Sequence, residues 1–479
     1  MSINSIFGTA TLALEAQQTA IQTASNNIAN ANTPGYSRQV VNLTANTPLY
    51  TPSGAIGTGV VVQDISRVRD TMLDVNFRAQ TSQASTYTTQ QNVLTSIGQV
   101  FGEPSDTGLA NTLSQFYSSW GDLANNPTSS AAQSVVQERG AAVATTLNQF
   151  SNSLDQLSAN TAAAATQQVN AINQYTSQIA AINKQIVAAE SDGKTTANDL
   201  RDLRDNAIDS LSQIVPVRVI DQANGSDTVY VGGSTVVDGS SSTNFSLVGA
   251  GSSTALQLFG RAFPIPSPGG ALGANLDALS TEIPAAKSQL DTLAAGIVTS
   301  VNAVHTTGWT AVGDAAGGSN WNASAPPTGS NINFFDPTKV TAATISLSAQ
   351  VASSASYIAA GNVQNGTGNN NIANKIATLG DDTTTMTKFG SPTQTTSVNA
   401  FYNDLVTRVG VATSNATSSA TVYTTLAQQA DTQRQSISGV STDQELISLT
   451  KNQQAYAAAA KVITTAASMS QTLLDMIPA

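Results

Sequence analysis

Acid–base or metal chemistry in this chain would have to begin at His305, its single histidine, because imidazole titrates near neutrality and is the commonest zinc ligand. Around it there is no second histidine at zinc-motif spacing and no nucleophile placed for a triad, so it reads as a residue that packs or caps near a helix end. Cysteine is absent, which excludes thiolate nucleophiles, disulfides and cysteine-ligated zinc. The densest group of charges, Asp202, Arg204, Asp205 and Asp209, has i,i+3 and i,i+4 spacings and is expected to be a solvated helix face, not a carboxylate pair for hydrolysis. Asp314, Asp336 and the Gly-Asn tract at 365–371 lack the oxygen-ligand spacing of a calcium loop. Gly232-Gly233 and Gly269-Gly270 read as turn punctuation, without the strand–glycine–helix context of a phosphate cradle. Glu15, the sole charge before Arg38, reads as an exposed helix position. No catalytic residue, cofactor or metal site is expected.

Composition narrows the field further. Charged residues make up 10% of the 479, against about 25% in an average soluble protein, and Ser, Thr, Asn, Gln and Ala take their place. The net charge is -11 and the basic residues are scattered, so neither nucleic acid nor an anionic membrane is an expected partner. No apolar run approaches the roughly 20 residues that span a bilayer. The stretch before Arg38 lacks the positive and continuously apolar regions of a cleavable signal peptide. If the protein is exported, another route is expected to take it, and a cysteine-free chain suits passage in the unfolded state.

The elements that would position any function are mostly helical. From Ile3, alternate steps of four and three pass through Phe7, Ala10, Leu14, Gln17, Ile21, Ala24 and Ile28, a heptad seam with one polar interruption. The same stepping from Leu446 meets Leu449, Gln453, Tyr456, Ala460, Ile463, Ala467, Ser470, Leu474 and Ile477. Stripes this long need a partner surface of similar length, and each end offers one to the other. The first helix is expected to stop at Thr33-Pro34-Gly35, where proline pushes Thr33 out of the helical region and Gly35 can take positive φ in a type II turn. Alternation over 40–66 predicts a hairpin or extended arm. A helical block over 67–214 is expected to break near Gly102-Glu103-Pro104 and Asn125-Asn126-Pro127. Strands are predicted at 215–220, 229–231 and 256–259, and helices again at 276–304 and 398–436.

The fold class expected is mainly α, a long helical bundle with terminal coiled-coil helices and β-rich inserted domains, multidomain α+β. Its parts nest. Terminal assembly segments occupy 1–35 and 440–479, and a discontinuous helical body occupies 36–213, 270–308 and 397–439. A β-rich insertion at 214–269 and a second insertion at 309–396, of unassigned fold, are expected to project from that body.

Asn27-Ile28-Ala29-Asn30 followed by Thr33-Pro34-Gly35-Tyr36-Ser37-Arg38-Gln39 resembles the N-terminal signature of the bacterial flagellar rod, hook and hook-associated axial proteins. The continuation Ser37-Arg38-Gln39 is most similar to the hook-associated protein 1 branch, the hook-filament junction proteins. Trp120 with Leu123-Ala124-Asn125-Asn126-Pro127 is similar to that family's mid-helix motif, and Leu290-Asp291-Thr292-Leu293-Ala294 with Val301-Asn302-Ala303-Val304-His305 resembles its return helix. Ser438-Gly439-Val440, Glu445-Leu446, Gln453-Gln454-Ala455-Tyr456 and Lys461-Val462-Ile463 resemble its closing helix. The likeness does not extend over 215–265 or 310–395.

What the resemblance implies is an extracellular adapter that performs no reaction. Its subunits would form a ring or helical layer between the flagellar hook protein and the distal hook-filament junction protein. Export would run through the flagellar type III apparatus after a cytosolic chaperone has held the C-terminal helix. The residues concerned would be the two seams and the signature turn at Asn27, Asn30, Thr33, Pro34, Gly35, Tyr36 and Arg38. That turn is either a mere helix stop or a joint setting the angle of the terminal helix, with Tyr36 and Arg38 as a packed aromatic and a solvated charge in the plainer case. A hook or rod subunit is the nearest alternative, and an enzyme or adhesin carried in the insertions a more distant one. From the residues alone comes one physical expectation. A helix of about 28 residues spans roughly 40 Å, but this seam is alanine-rich, carries Gly8 and is interrupted by Gln17. Alone it would bury too little to offset its ordering entropy, so the ends are expected to be disordered in the free chain and to become helical when subunits stack.

Overall fold

The computed structural model describes residues 3–51, 54–193, 195–265, 269–310, 330–363, 368–388, 391 and 393–476. Helix α1 (Ile3–Ala29) leads through the turn at 30–38 into a two-stranded arm, β1 (Gln39–Ala45) with β4 (Val60–Arg67), whose tip is the hairpin β2 (Leu49–Thr51) and β3 (Gly54–Ile56). Asp70 then starts α2 (Thr71–Phe101) by accepting from the Met72 amide at 2.8 Å, and Gly102 ends it in the left-handed region at φ 58. Helices α3 (Leu109–Asn125), α4 (Ser130–Ala189) and α5 (Asn198–Ile214) follow, α4 capped by Ser129. The sequence block expected over 67–214 is thus cut once more than predicted, at 190–197.

The strands β5 (Val217–Asp221), β6 (Asp227–Val231), β7 (Ser234–Asp238) and β8 (Ser241–Ser242) form one antiparallel sheet. β9 (Phe245–Val248), β10 (Ala255–Leu258) and β11 (Arg261–Ala262) form another. Helix α6 (Gly270–Asp277) continues through a π-helical turn, Ala278–Glu282, into α7 (Ile283–His305). After the short α8 (Ala349–Ser353), α9 (Asn371–Leu379) and the β12–β13 pair (Met386–Thr387, Thr395–Thr396) come α10 (Val398–Ser438), capped by Ser397, and α11 (Thr442–Asp475).

Two cores organise these elements, and α4 joins them. Its first half buries Val136, Val143, Leu147 and Leu154 with Trp120, Phe116, Leu293 and Phe401. Its second half buries Ala165, Val169, Ile172 and Ile179 with Ile208 and Leu211 of α5 and with Val229, Val237 and Phe245 of the sheets. At 60 residues α4 runs roughly 90 Å, which is why one helix can serve both.

The segment 309–396 departs from expectation. Over its described residues it does not project, because Phe334, Phe335, Ile345, Val351, Ile358, Ile372 and Ile376 enter the same core as Trp120. Phe334 lies 5.3 Å from the Trp120 ring and 5.7 Å from that of Phe116, centroid to centroid. His305 packs there too, fully buried, with Nδ1 2.7 Å from the Ile332 carbonyl and Nε2 accepting from the Ala359 amide at 3.0 Å. Asp336 accepts from the Thr338 amide in a local turn. Asp314 and residues 365–367 of the Gly-Asn tract lie outside the described residues.

The long helices pair antiparallel. On α2 and α10, Arg434 stacks 3.8 Å from the Phe77 ring centroid, and Tyr87 stacks on Tyr423 at 5.0 Å and 10°. The second pair is α1 with α11, meeting where Asn27 in the last turn of α1 donates to Glu445 in the first turn of α11. Two faces of α1 are covered. Ala10 and Ala24 of the predicted seam are buried, with Ile3, Phe7, Leu14, Gln17, Ile21 and Ile28 half-buried. An adjacent face turns Thr9 toward Gly59 of the arm and carries Ala16, Thr23 and Asn27, all three buried.

Candidate assembly site

The turn after α1 has the local chemistry expected of it. Tyr36 donates its amide to the Thr33 carbonyl at 3.2 Å, with Pro34 and Gly35 between them and Gly35 at φ +75, the position of glycine in a type II turn. Gly35 is also required by close approach, since a Cβ there would fall 1.8 Å from Asn206 Oδ1 of α5. Thr33, Pro34 and Gly35 are exposed, and Asn30 holds the turn locally by donating to Asn26 Oδ1 at 2.8 Å.

Asn27, 1% exposed, ties the signature together. Its Nδ2 donates to the Gln39 carbonyl (2.8 Å) and to Glu445 Oε2 (3.1 Å), and its Oδ1 accepts from the Tyr36 hydroxyl (2.9 Å) and the Gln39 amide (3.0 Å). Arg38 is not a solvated charge. Its Nε donates to Glu445 Oε1 at 2.7 Å, and its amide donates to the Ser438 carbonyl at 2.9 Å. Four chain segments, the end of α1, the start of β1, the end of α10 and the start of α11, therefore converge on one knot of hydrogen bonds. Burial, together with the carboxylates of Asp199, Asp202 and Glu445, pushes the Tyr36 phenol up to about 12, so it stays a neutral donor to Asn27.

Beneath this knot lies a second layer that overturns one expectation. Asp202, Arg204 and Asp205 are buried, at 5%, 3% and 7% exposure, not solvated, and Asp209 is half-buried. Asp202 accepts from the Ser37 amide (2.9 Å) and hydroxyl (2.7 Å) and from Arg67 Nη1 (2.6 Å). Asp205 accepts from Arg67 (2.8 Å) and lies 3.2 Å from Arg69 and 3.3 Å from Arg78. Asp209 bridges Arg78 (2.6 Å) and Arg434 (2.5 Å), and Asp74 holds Arg69 at 2.7 Å. Burial would push the Asp205 carboxyl up, but the guanidiniums of Arg69, Arg67 and Arg78 outweigh it and hold it at about 2. The layer thus fixes α5 to β4, α2 and α10 directly below the terminal pair. Sequence reasoning missed its basic half, because Arg67, Arg69, Arg78 and Arg434 come from elsewhere in the chain. The available signal was scarcity: a chain with 19 Lys and Arg has few to spare for solvent.

The C-terminal seam needs correction as well. Toward α1, α11 presents Glu445 and Ala466, which are buried, and Leu449, Asn452, Ala455, Ala459, Ala460, Ile463 and Ser470, which are half-buried. Leu446, Gln453, Tyr456, Ala467 and Leu474 of the predicted seam are exposed, and Ile477 lies outside the described residues. Only part of the predicted stripe, Leu449, Ala460, Ile463 and Ser470, lies on the pairing face. Small residues make up much of the contact with α1, and Leu446, Ile447, Val462, Met469, Leu473 and Leu474 are left exposed.

A 580 Å³ cleft separates the turn at 31–38 from the α10–α11 link at 434–444. Among the described residues no group of three or more His, Cys, Asp or Glu could hold a metal, and no helix is long and apolar enough to cross a membrane. The arrangement is suited to positioning helices.

The knot coincides with what is similar in known proteins. Residues 7–36 match the flagella basal body rod protein family, 432–476 match the C-terminal family of the basal body rod FlgEFG proteins, and 94–320 match the helical domain of flagellar hook-associated protein FlgK. Flagellar hook-associated protein 1 of Bacillus subtilis is 31% identical, over 98% of this chain and 96% of its own length. The chain belongs to the flagellar hook-associated protein 1 family. The Salmonella typhimurium member is 28% identical over 74% of this chain and 64% of its own length. In three dimensions the chain resembles the flagellar hook junction protein FlgK from Burkholderia pseudomallei, with a TM-score of 0.62 at 18% identity, covering 76% of this chain and all of that one. The fold of the hook-associated protein 1 family, long helices carrying small antiparallel sheets, is therefore shared. The rod-type matches fall on α1 with its turn and on the end of α10 with α11, the segments that Asn27, Arg38 and Glu445 join.

Proposed function

We propose that this chain is a structural adapter of the bacterial flagellum, forming a subunit layer at the hook-filament junction, and that it is not an enzyme. Its neighbours in that reading are further copies of itself, the flagellar hook protein, and the distal hook-filament junction protein. A cytosolic export chaperone covers the C-terminal helix before the chain leaves the cell by the flagellar type III route. The terminal segments 1–35 and 440–479 form the assembly unit, the helical body at 36–213, 270–308 and 397–439 is what it carries, and the Asn27–Arg38–Glu445 knot is the joint between them. The observation that carries this reading is an α1–α11 pair clamped to the body at one end, with Leu446, Ile447, Leu473 and Leu474 left exposed.

The same pair supports coupled folding and association. It buries mainly alanines and polar residues, and Gln17 Oε1 is buried within it without a hydrogen-bond partner, so the pair alone has little to offset its ordering entropy. The free chain is expected to exchange its amides freely over 5–28, and strong protection there in dilute solution would overturn this part. The role itself is tested by electron microscopy of a deletion strain. Bare hooks without filaments, rescued by the wild-type chain but not by one carrying Gln at Leu446, Ile447, Leu473 and Leu474, are expected. Normal filaments in the deletion strain would leave the proposal without a function.

A further inference from the structure

The β-rich part at 217–262 meets α4 and α5 at a buried polar point. Asp227, the first residue of β6, is 2% exposed. Asn183 of α4 accepts from its amide at 3.0 Å and donates to its carbonyl at 2.8 Å. Arg204 of α5 donates from Nη1 to Asn183 Oδ1 (3.0 Å) and to the Gly225 carbonyl (2.8 Å), while its Nε lies 2.8 Å from Asp227 Oδ2. That last contact is an ion pair by distance only, since Arg204 Nε makes no directed hydrogen bond. Asp227 Oδ1 is buried and has no donor at all.

The strand register supplies what is missing. Asp221 of β5 is the antiparallel partner of Asp227, so two carboxyl groups face each other across the ladder within hydrogen-bonding reach. Two ionised carboxylates directly opposite repel, whereas one O–H between them satisfies the orphaned oxygen and removes a charge from the buried side. We propose that Asp221 and Asp227 share a proton, and that this proton makes the attachment of the β-rich part to α4 and α5 pH-sensitive.

The other charged groups around the pair leave room for that proton. Arg201 on α5 is engaged with Glu190 at 2.7 Å, and Asp205 is neutralised by Arg67, Arg69 and Arg78. Asp238 on β7 and Lys184 on α4 are exposed. Burial, helped by Asp221 and opposed by Arg204, pushes the Asp227 carboxyl up to about 7. A carboxyl raised on folding contributes its full stability below about pH 4 and loses it as pH rises through its folded value. Attachment therefore weakens from mildly acidic to alkaline solution. The two groups titrate as a pair, so the value near 7 belongs to the shared proton.

The test uses the full chain and Asp221→Asn. Asp221 sits on the exposed rim, and an amide there donates to Asp227 Oδ1 without a proton. Thermal midpoints are measured from pH 5 to 9, and the Asp227 carboxyl is followed by carbon NMR. The wild-type midpoint is expected to fall by several degrees between pH 5 and about 7 and to level off above it, while that of Asp221→Asn stays level throughout. The Asp227 resonance is expected to titrate near 7, about a thousandfold tighter for its proton than an ordinary carboxyl. Matching pH profiles for the two proteins, or an Asp227 that titrates below 4, would overturn the proposal. So would stabilisation of the wild type by millimolar calcium at pH 8, which would make the pair a cation site.

Discussion

Replacing Asp205 by Asn tests whether the buried charges under the joint act as one unit. The carboxylate accepts from Arg67 and lies within 3.3 Å of Arg69 and Arg78, so the amide keeps the shape, deletes the charge and turns an NH₂ toward a wall of donors. Holding the carboxyl at about 2 from an ordinary 3.8 corresponds to about 2 kcal/mol of preference for the ionised form, at about 1.4 kcal/mol per unit. The variant loses that and leaves a buried guanidinium excess, for which breaking a buried pair sets a scale of about 3–5 kcal/mol. Because the folded value is depressed, the contribution is complete above about pH 4 and fades as pH falls through about 2. Urea unfolding of both proteins followed by far-UV circular dichroism should therefore separate them by about 3 kcal/mol at pH 7, and by clearly less at pH 2. A separation below about 1 kcal/mol at pH 7, or one that does not change with pH, would refute the view that the arginines hold Asp205.

Three further outcomes are expected. Glu445→Gln keeps the size of a side chain that is 3% exposed but removes the charge facing Arg38, so junction assembly should drop at least tenfold, scored as filaments per hook, while the thermal midpoint of the body stays put. Gly35→Ala combines a left-handed φ of +75 with a collision at Asn206, a cost of about 1–3 kcal/mol that should appear as lost protection of the joint in hydrogen exchange; unaltered protection would count against the close approach. Burial pushes His305 down to about 4, opposed by its bond to the Ile332 carbonyl, so its contribution is complete above about pH 6.5 and is lost on acidification through about 4, roughly 3 kcal/mol in all. Trp120, 6.0 Å away, reports this by fluorescence, and His305→Gln should flatten the slope; an equal slope in both would assign it elsewhere.

How far each part could be read from sequence follows from how local its causes are. The stop after α1 was legible because Thr33-Pro34-Gly35 dictates its own backbone, and the long helices because their apolar residues recur within a few positions of one another. The face that α11 turns to α1 was not, because apolar content ranks Leu446 and Leu474 above Ala455 and Ala459, whereas close packing of two helices selects the small side chains. The aspartates of α5 imitate a solvated face for a different reason. Their partners Arg67, Arg78 and Arg434 stand 135, 131 and 225 residues away from the carboxylates they meet, and no spacing rule connects them. Phe334 and Phe335 sit in an irregular, polar stretch without periodicity, so nothing local told that they would fill the space beside Trp120.

The amide of Arg38 reaches the carbonyl of Ser438 at 2.9 Å, and that bond closes a loop of about four hundred residues at its neck. Everything between those two positions is one excursion that departs from and returns to the same spot. The neck fixes the spacing of the terminal helices, and within the loop only the residues that touch the joint, such as Asp202 and Asn206, are tied to that spacing. An engineer could therefore graft a foreign cargo in place of the β-rich part and leave the fastening untouched.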